Sequence, residues 1–375
     1  MVDANTIAIL LDGFVSPTSL WFDGNSGVLS VNTQARRFGC LVYLLGLVSQ
    51  GRKVESMLLS LPSQEVLALK RNLAANGFTS GYLTTKTSSV QHYLDTAVGF
   101  HLLVRQGSVF SLTGRGRFFL DTIRPDLKAP YPLTPQTKVF FLHTLLRVDF
   151  FGTAAIVRSL LHGARKLSEM QRSHQSYLLR LLEDVARCSA NTRFRRLVQD
   201  RIISVRDWKK PESYAEHLVS AKLNWLTDLG ILEAAPSPTS SISIRSEYRE
   251  WLNDFGAITT PSELLLTSIV LHYAEKVVSK CQPSPDNELC LALRSAFCRL
   301  ASPGTLRKIR SSDLVLFLLC FHAPMLIAYI GERKALFTNE TINCGDVTYK
   351  AHVASRPTQS FIISERKVTK SWHHQ

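Results

Sequence analysis

Metal-binding spacing is missing from this chain. Its seven cysteines, Cys40, Cys188, Cys281, Cys290, Cys298, Cys320 and Cys344, never form a C-x-x-C pair, and its eleven histidines are scattered with no H-E-x-x-H. Tetrahedral zinc needs ligands clustered within reach, so this spacing predicts no metal site. Most of the cysteines lie in apolar stretches such as "LFLLCF" (316–321). They read as buried free thiols in a reducing cytoplasm.

Phosphate-cradling loops and nucleophile elbows are missing too. Neither G-x-x-x-x-G-K-[ST] nor G-x-G-x-x-G occurs, and there is no G-x-S-x-G. These absences remove the P-loop, the dinucleotide fingerprint and the hydrolase elbow, and no cofactor is predicted. Apolar runs are short. The longest, "LVLFLLCFHAPMLIAYI" (314–330), holds His322 and Pro324 and falls short of the ~20 residues of a membrane span. It predicts two buried helices meeting at the proline, which removes a backbone donor and clashes inside a continuous helix. The opening "MVDANTIAILLDGF" has no basic region and no small-residue cleavage site. The expectation is a cytoplasmic protein with no membrane partner.

Positive charge, by contrast, is abundant. The 375 residues carry 44 Lys and Arg against 30 Asp and Glu, a formal charge of +14 with a pI near 9.6. The 45% hydrophobic content is that of a globular chain, long enough for two or three domains. A surplus of this size favours a polyanionic partner, nucleic acid first.

Along the chain, 4–12 reads as a short helix and "SLWFDGNSGVLSVN" (19–32) as a hairpin. Helical patterns follow at 35–49, 53–60, 63–76 and 86–98. "HLLVRQGSVFSL" (101–112) alternates on both sides of Gln106-Gly107, which is hairpin chemistry. The four prolines of "RPDLKAPYPLTP" (124–135) read as a linker between domains. Residues 134–187 are strongly helical, and two more helices within 261–300 are separated by "CQPSPDN". The tail, 345–367, alternates like a β-hairpin.

Residues 90–120 and 221–252 read as two copies of one pattern: helix, glycine, ribbon, helix. Leu94 matches Trp225, Val98 matches Leu229, Gly99 matches Gly230, Leu112 matches Ile244 and Leu120 matches Leu252. The first copy, "GFHLLVRQGSVFSLTGRGRFFL" (99–120), resembles the end of a winged helix-turn-helix domain. The second departs from it, with a Pro/Ser-rich ribbon and "SEYREWL" in place of "TGRGRFFL". Multi-winged-helix chains of this length also resemble accessory subunits of prokaryotic anti-phage or restriction-type systems.

The fold expected is therefore mainly α: tandem winged-helix-like modules with small β-wings, plus a helical C-terminal domain ending in a β-hairpin. The boundaries expected are an N-terminal helix and hairpin (1–34), module 1 (35–121), a linker (122–134), a helical segment with module 2 (135–255) and the C-terminal domain (256–375).

The resemblance implies that the helix before Gly99 is a recognition helix, with Lys86, Thr87, Ser88, Ser89, Gln91 and His92 as its exposed polar residues. Such a helix fits the major groove. It also implies that the hairpin is a wing, with Arg105, Arg115 and Arg117 placed for phosphate. A separate signal is the surplus between 153 and 210, thirteen Lys and Arg against five Asp and Glu. It is densest in "NTRFRRLVQDR" (191–201), with Phe194 and Trp208 interleaved. Arg187, Arg193, Arg195, Arg196, Arg201, Lys209 and Lys210 are the cations expected to bind a polyanion there, in a salt-sensitive and sequence-indifferent way. The expected partners are duplex DNA and further protein subunits, with no enzymatic activity. Two other readings stand beside this one. The winged helices could be a protein-binding scaffold. Asp346, Glu365 and Lys367 are also spaced like the Asp…Glu-x-Lys of Mg²⁺-dependent nucleases, although Glu365 and Lys367 on one strand face equally suit an ion pair.

Overall fold

Some helix starts in this chain are marked by side chains that accept otherwise orphaned backbone N–H groups. The computed structural model describes residues 35–51, 67–68, 71–72, 74–76, 87–189, 192–234, 241–258, 263–278, 285–301, 307–331, 341–345, 347–352 and 362–367. Among these the protein is mainly helical, with two small antiparallel sheets. The chain divides into two units between Pro261 and Ser262, close to the boundary expected at 255. The helix and hairpin expected within 1–34, and the helix at 53–60, lie outside the described residues. Of the helix expected over 63–76, Leu67, Ala68, Arg71, Asn72, Ala74 and Ala75 are described and are helical.

The first unit begins with α1 (Phe38–Ser49) and α2 (Thr87–Gly99). The ribbon of β1 (Leu103–Gln106) and β2 (Val109–Leu112) follows, then the short α3 (Gly114–Phe118). Gln106 pairs with Val109, so the turn is Gly107-Ser108, one residue later than expected, with Gly107 at φ 62°. A glycine in first place is what a two-residue hairpin loop favours. Thr113 caps α3 by accepting from Gly116 N–H at 3.0 Å. Next come α4 (Pro135–Val148), α5 (Phe150–Leu161), α6 (Leu167–Cys188), α7 (Thr192–Arg206), α8 (Pro211–Asp228) and α9 (Arg249–Ala257). Thr134 accepts from Thr137 N–H with Pro135 in the first turn, the arrangement in which the missing proline donor is harmless. Glu169 accepts from the Arg165 and Lys166 N–H groups at the start of α6, and these bonds hold its carboxyl below the usual range.

The stretch expected as a linker is instead packed into this unit. Tyr131 and Leu133 are buried, and the Tyr131 hydroxyl donates to Asp228 Oδ2 at 2.7 Å. The two expected modules also share one core. Phe38 of α1 stacks on Phe141 of α4 at 4.3 Å and on Trp225 of α8 at 5.5 Å, and Phe100 meets Trp225 at 5.3 Å. Aromatic area this large is buried best where elements distant in sequence converge, and spacing along the chain cannot show that. α4 and α5 bend by 105° at Asp149. Among the described residues no single helix is long and apolar enough to cross a membrane.

The second unit holds α10 (Glu263–Val277), α11 (Pro285–Leu300), α12 (Ser311–Phe321) and α13 (Ala323–Gly331). Its sheet, in the order β3-β6-β5-β4, comprises β3 (Arg307–Arg310), β4 (Thr341–Cys344), β5 (Val347–His352) and β6 (Ile362–Lys367). The break between α12 and α13 falls at His322, beside Pro324, as the proline predicts. The expected tail hairpin is β5 paired with β6. β3 and β4, which flank it, carried too few alternating positions to be read. Tyr349 of β5 is buried against Phe297 of α11, ring centres 4.9 Å apart.

Cysteine state differs from expectation. Cys40 and Cys320 are buried and outside the disulfide, and burial pushes the Cys40 thiol up to about 12. Cys188 and Cys298 are exposed, and Cys290 and Cys344 form a disulfide with Cα atoms 5.5 Å apart. Fifty-four residues separate that pair. Only the packing of α11 against the β4 end brings them within bonding distance. Cys281 lies outside the described residues.

Candidate nucleic-acid interface

The duplicated pattern survives in the structure at a shifted register. α2 ends with His101 N–H on Val98 O and Leu102 N–H on Ala97 O. α8 ends with Gly230 N–H on Thr227 O and Ile231 N–H on Leu226 O. Both are Schellman caps, whose left-handed residue is His101 at φ 55° in one and Gly230 at φ 79° in the other. Gly99 is therefore not the counterpart of Gly230; His101 is. Beyond the caps, Leu103 pairs with Leu112 and Leu232 with Ile244. Thr113 N–H then bonds Leu102 O, as Arg245 N–H bonds Ile231 O. The expected match of Leu112 with Ile244 stands at the same rung. Sequence matching took the glycine as the cap, but the packing places a histidine in the left-handed position.

On α2, Lys86 lies outside the described residues, as do the side chains of Ser88 and Ser89. Gln91 and His92 are half-buried, and Gln91 Nε2 donates to Asp95 Oδ1 at 2.6 Å. Among described side chains from 90 to 99 only Asp95 is exposed, and a carboxylate repels phosphate. The hairpin also departs from expectation. Arg115 turns inward, its Nη2 on His143 Nδ1 at 2.7 Å and on Thr144 Oγ1 at 2.9 Å, with its guanidinium 5.3 Å from the Phe140 ring. Burial, with the Arg115 and Arg147 charges, holds His143 well below its usual range. Arg105 and Arg117 are exposed but tied to the backbone, at Gly107 O (2.9 Å) and Leu112 O (3.0 Å). The outward face of the ribbon is Val104, Gln106, Val109 and Ser111, all exposed and uncharged.

The strongest basic stretch becomes the antiparallel pair α6–α7 and the turn into α8. Its cations divide three ways. Arg195 bonds Ser189 O, Arg187 pairs with Asp184, and Arg206 pairs with Glu183 at 2.6 Å, so these are engaged locally. Arg201 faces inward, and burial lowers its pKa. Arg180, Arg196, Lys209 and Lys210 are exposed, with no hydrogen bond or ion pair among the described residues. The side chain of Arg193 lies outside the description. The outer stripe of α7 is less basic than its sequence, because Asp200, Ile203 and Asp207 share it with Arg196. In the α7–α8 turn, Trp208 and Tyr214 stack with ring centres 5.2 Å apart and planes 18° apart.

Two buried polar clusters lie in the same unit, and sequence reading missed both. In one, Arg37 Nη1 meets Asp228 Oδ1 at 2.5 Å with both side chains fully buried. Asp228 Oδ2 also accepts from Phe38 N–H (2.8 Å) and from the Tyr131 hydroxyl. Burial raises the Asp228 pKa, and these three donors oppose the rise. In the other, Lys222 Nζ meets Asp149 Oδ2 at 2.8 Å, both buried. A Cβ on Gly152 would collide with Asp149 Oδ1 and stand 2.8 Å from Lys222 Cε. His174 is buried beside them, and neither of its ring nitrogens has a hydrogen-bond partner among the described residues. Burial, then the charges of Lys222 and Arg201, hold it down to about 3. A basic or polar letter inside an amphipathic helix carries no mark of facing inward.

Of the three residues in the nuclease reading, only Glu365 has a described side chain. Glu365 Oε2 accepts from Arg307 Nη1 at 2.8 Å, and its Oε1 lies 3.4 Å from the Tyr349 hydroxyl. Asp346 and the Lys367 side chain lie outside the described residues. Among the described residues no group of three or more His, Cys, Asp or Glu is placed to hold a metal ion. No protein-family model, curated protein or solved structure matches the chain.

Proposed function

We propose that this chain binds nucleic acid without catalysing a reaction, duplex DNA before other forms, as a subunit or adaptor of a larger complex. The observation that carries the reading is the set of exposed, unengaged cations Arg180, Arg196, Lys209 and Lys210 on the α6–α7 pair and its turn, in a chain of formal charge +14. Phosphate neutralisation by such cations releases counterions and does not depend on base sequence. The helix–cap–ribbon–helix order, present twice, supports a winged-helix reading of this unit. The exposed Asp95 carboxylate on α2 favours the helix-pair edge over α2 as the surface that meets DNA.

Four phosphate contacts predict a slope of log K against log salt of about −3 to −4. Lys209→Glu with Lys210→Glu is expected to flatten that slope by about 2 and to weaken all duplexes alike. Fluorescence anisotropy with two unrelated duplexes at several salt concentrations measures both. Absence of binding at low salt refutes the proposal.

A second reading has one observation in its favour. The outward face of the ribbon is uncharged, with Val104 41% and Val109 56% exposed, which suits a protein partner better than phosphate. The duplex titration separates the two: the first reading requires tight, salt-dependent binding at low salt, whereas a protein-binding scaffold shows little duplex affinity at any salt concentration.

A further inference from the structure

We infer that the α7–α8 turn is a stacking site for an unpaired nucleobase, so that the chain prefers DNA with a single-stranded end or gap over a closed duplex. The inference rests on the nucleic-acid reading and deepens it. The Tyr214 ring is covered on one face by Trp208, 5.2 Å away and nearly parallel, yet Tyr214 remains 43% exposed. Its hydroxyl makes no hydrogen bond among the described residues. A tyrosine kept for packing would bury its ring; this one is backed by a second aromatic and stays well exposed. Pro211 starts α8 three residues before it, and its ring restrains the turn. The aromatic platform is thus preordered and loses little freedom when a base docks.

Charge selects the occupant. Lys209 and Lys210, both exposed and unengaged among the described residues, lie between Trp208 and Tyr214 in the sequence. A base resting on Tyr214 carries its own sugar-phosphate, and these ammonium groups are there to meet it. Aromatic faces beside cations accept bases of any identity, because every base has a π-face. Paired bases inside a duplex offer no free face, so the platform can act only on unpaired nucleotides.

Three substrates of equal length test the inference: a blunt duplex, the same duplex with a single-stranded overhang, and one whose overhang is abasic. Wild type is expected to bind the base-bearing overhang about tenfold more tightly than either of the others. Tyr214→Ala is expected to erase that preference while leaving blunt-duplex affinity within about twofold, and Tyr214→Phe to retain it. Equal affinity of wild type for all three, or an equal loss on blunt and overhang substrates in Tyr214→Ala, overturns the stacking site alone. Failure to bind any of them overturns the nucleic-acid reading with it. Preference for the abasic overhang equal to that for the base-bearing one assigns the effect to phosphates and also refutes stacking.

Discussion

Replacing Asp228 with alanine is expected to cost roughly 3–5 kcal/mol, the scale for removing one partner of a buried ion pair. The carboxylate is the acceptor for Arg37, Phe38 N–H and the Tyr131 hydroxyl together. Its loss leaves a guanidinium with no exposed surface beside a tyrosine hydroxyl and a backbone donor, all three deprived of this shared acceptor. These groups tie the start of α1 to the end of α8 and to the proline-rich stretch. The damage is therefore expected in the cooperative unfolding of the whole first unit. For a unit of this size the thermal midpoint is expected to fall by roughly 10 °C or more, measured by near-ultraviolet circular dichroism. Arg37→Met combined with Asp228→Leu is expected to recover most of the loss, because no buried charge then remains unpaired. A single-variant loss below about 1 kcal/mol would show that the pair is not buried as described.

His174→Leu is expected to stabilise the protein, and to do so more in acid. The ring is buried without a hydrogen-bond partner among the described residues and sits near the charges of Lys222 and Arg201. Its folded pKa, about 3, lies below the unfolded value near 6.5. The folded state thus holds the neutral form, and the unfolded chain takes up the proton first. Stability from this group is fully present above about pH 6.5 and is lost progressively as the pH falls toward 3, by about 2 kcal/mol at pH 5. His143, also held low, adds to the acid sensitivity with the same sign. Comparing His174→Leu with wild type isolates the His174 share. The gain in unfolding free energy is expected to be about 2 kcal/mol larger at pH 5 than at pH 8. Denaturant titrations at the two pH values measure this, and an equal gain at both would mean that His174 is solvated or hydrogen-bonded.

Much of the secondary structure was legible in local signals. Thr134-Pro135, the apolar spacing of Leu178, Leu181, Leu182 and Val185, and Pro324 each act within a turn or two of helix. Their positions in the chain were therefore enough to place α4, α6 and the α12–α13 break. The turn residues of "RQGSVF" likewise placed the β1–β2 ribbon to within one residue. The candidate surface was legible only as a surplus of charge. Which arginines face solvent depended on partners far along the chain: Arg115 was drawn to His143 and Thr144, Arg206 to Glu183, and Arg201 inward.

By itself, the sequence determined a mainly helical, strongly basic chain with a repeated helix–ribbon–helix order, because periodicity, caps and net charge are local or additive properties. Tertiary structure alone decided that the described residues between 35 and 258 share one core across the supposed linker, that His101 rather than Gly99 takes the left-handed cap, and that Cys290 meets Cys344. It also decided which few of the many cations remain unengaged in solvent. Each of those outcomes depends on which distant side chains come within a few ångströms, and neither composition nor spacing records that.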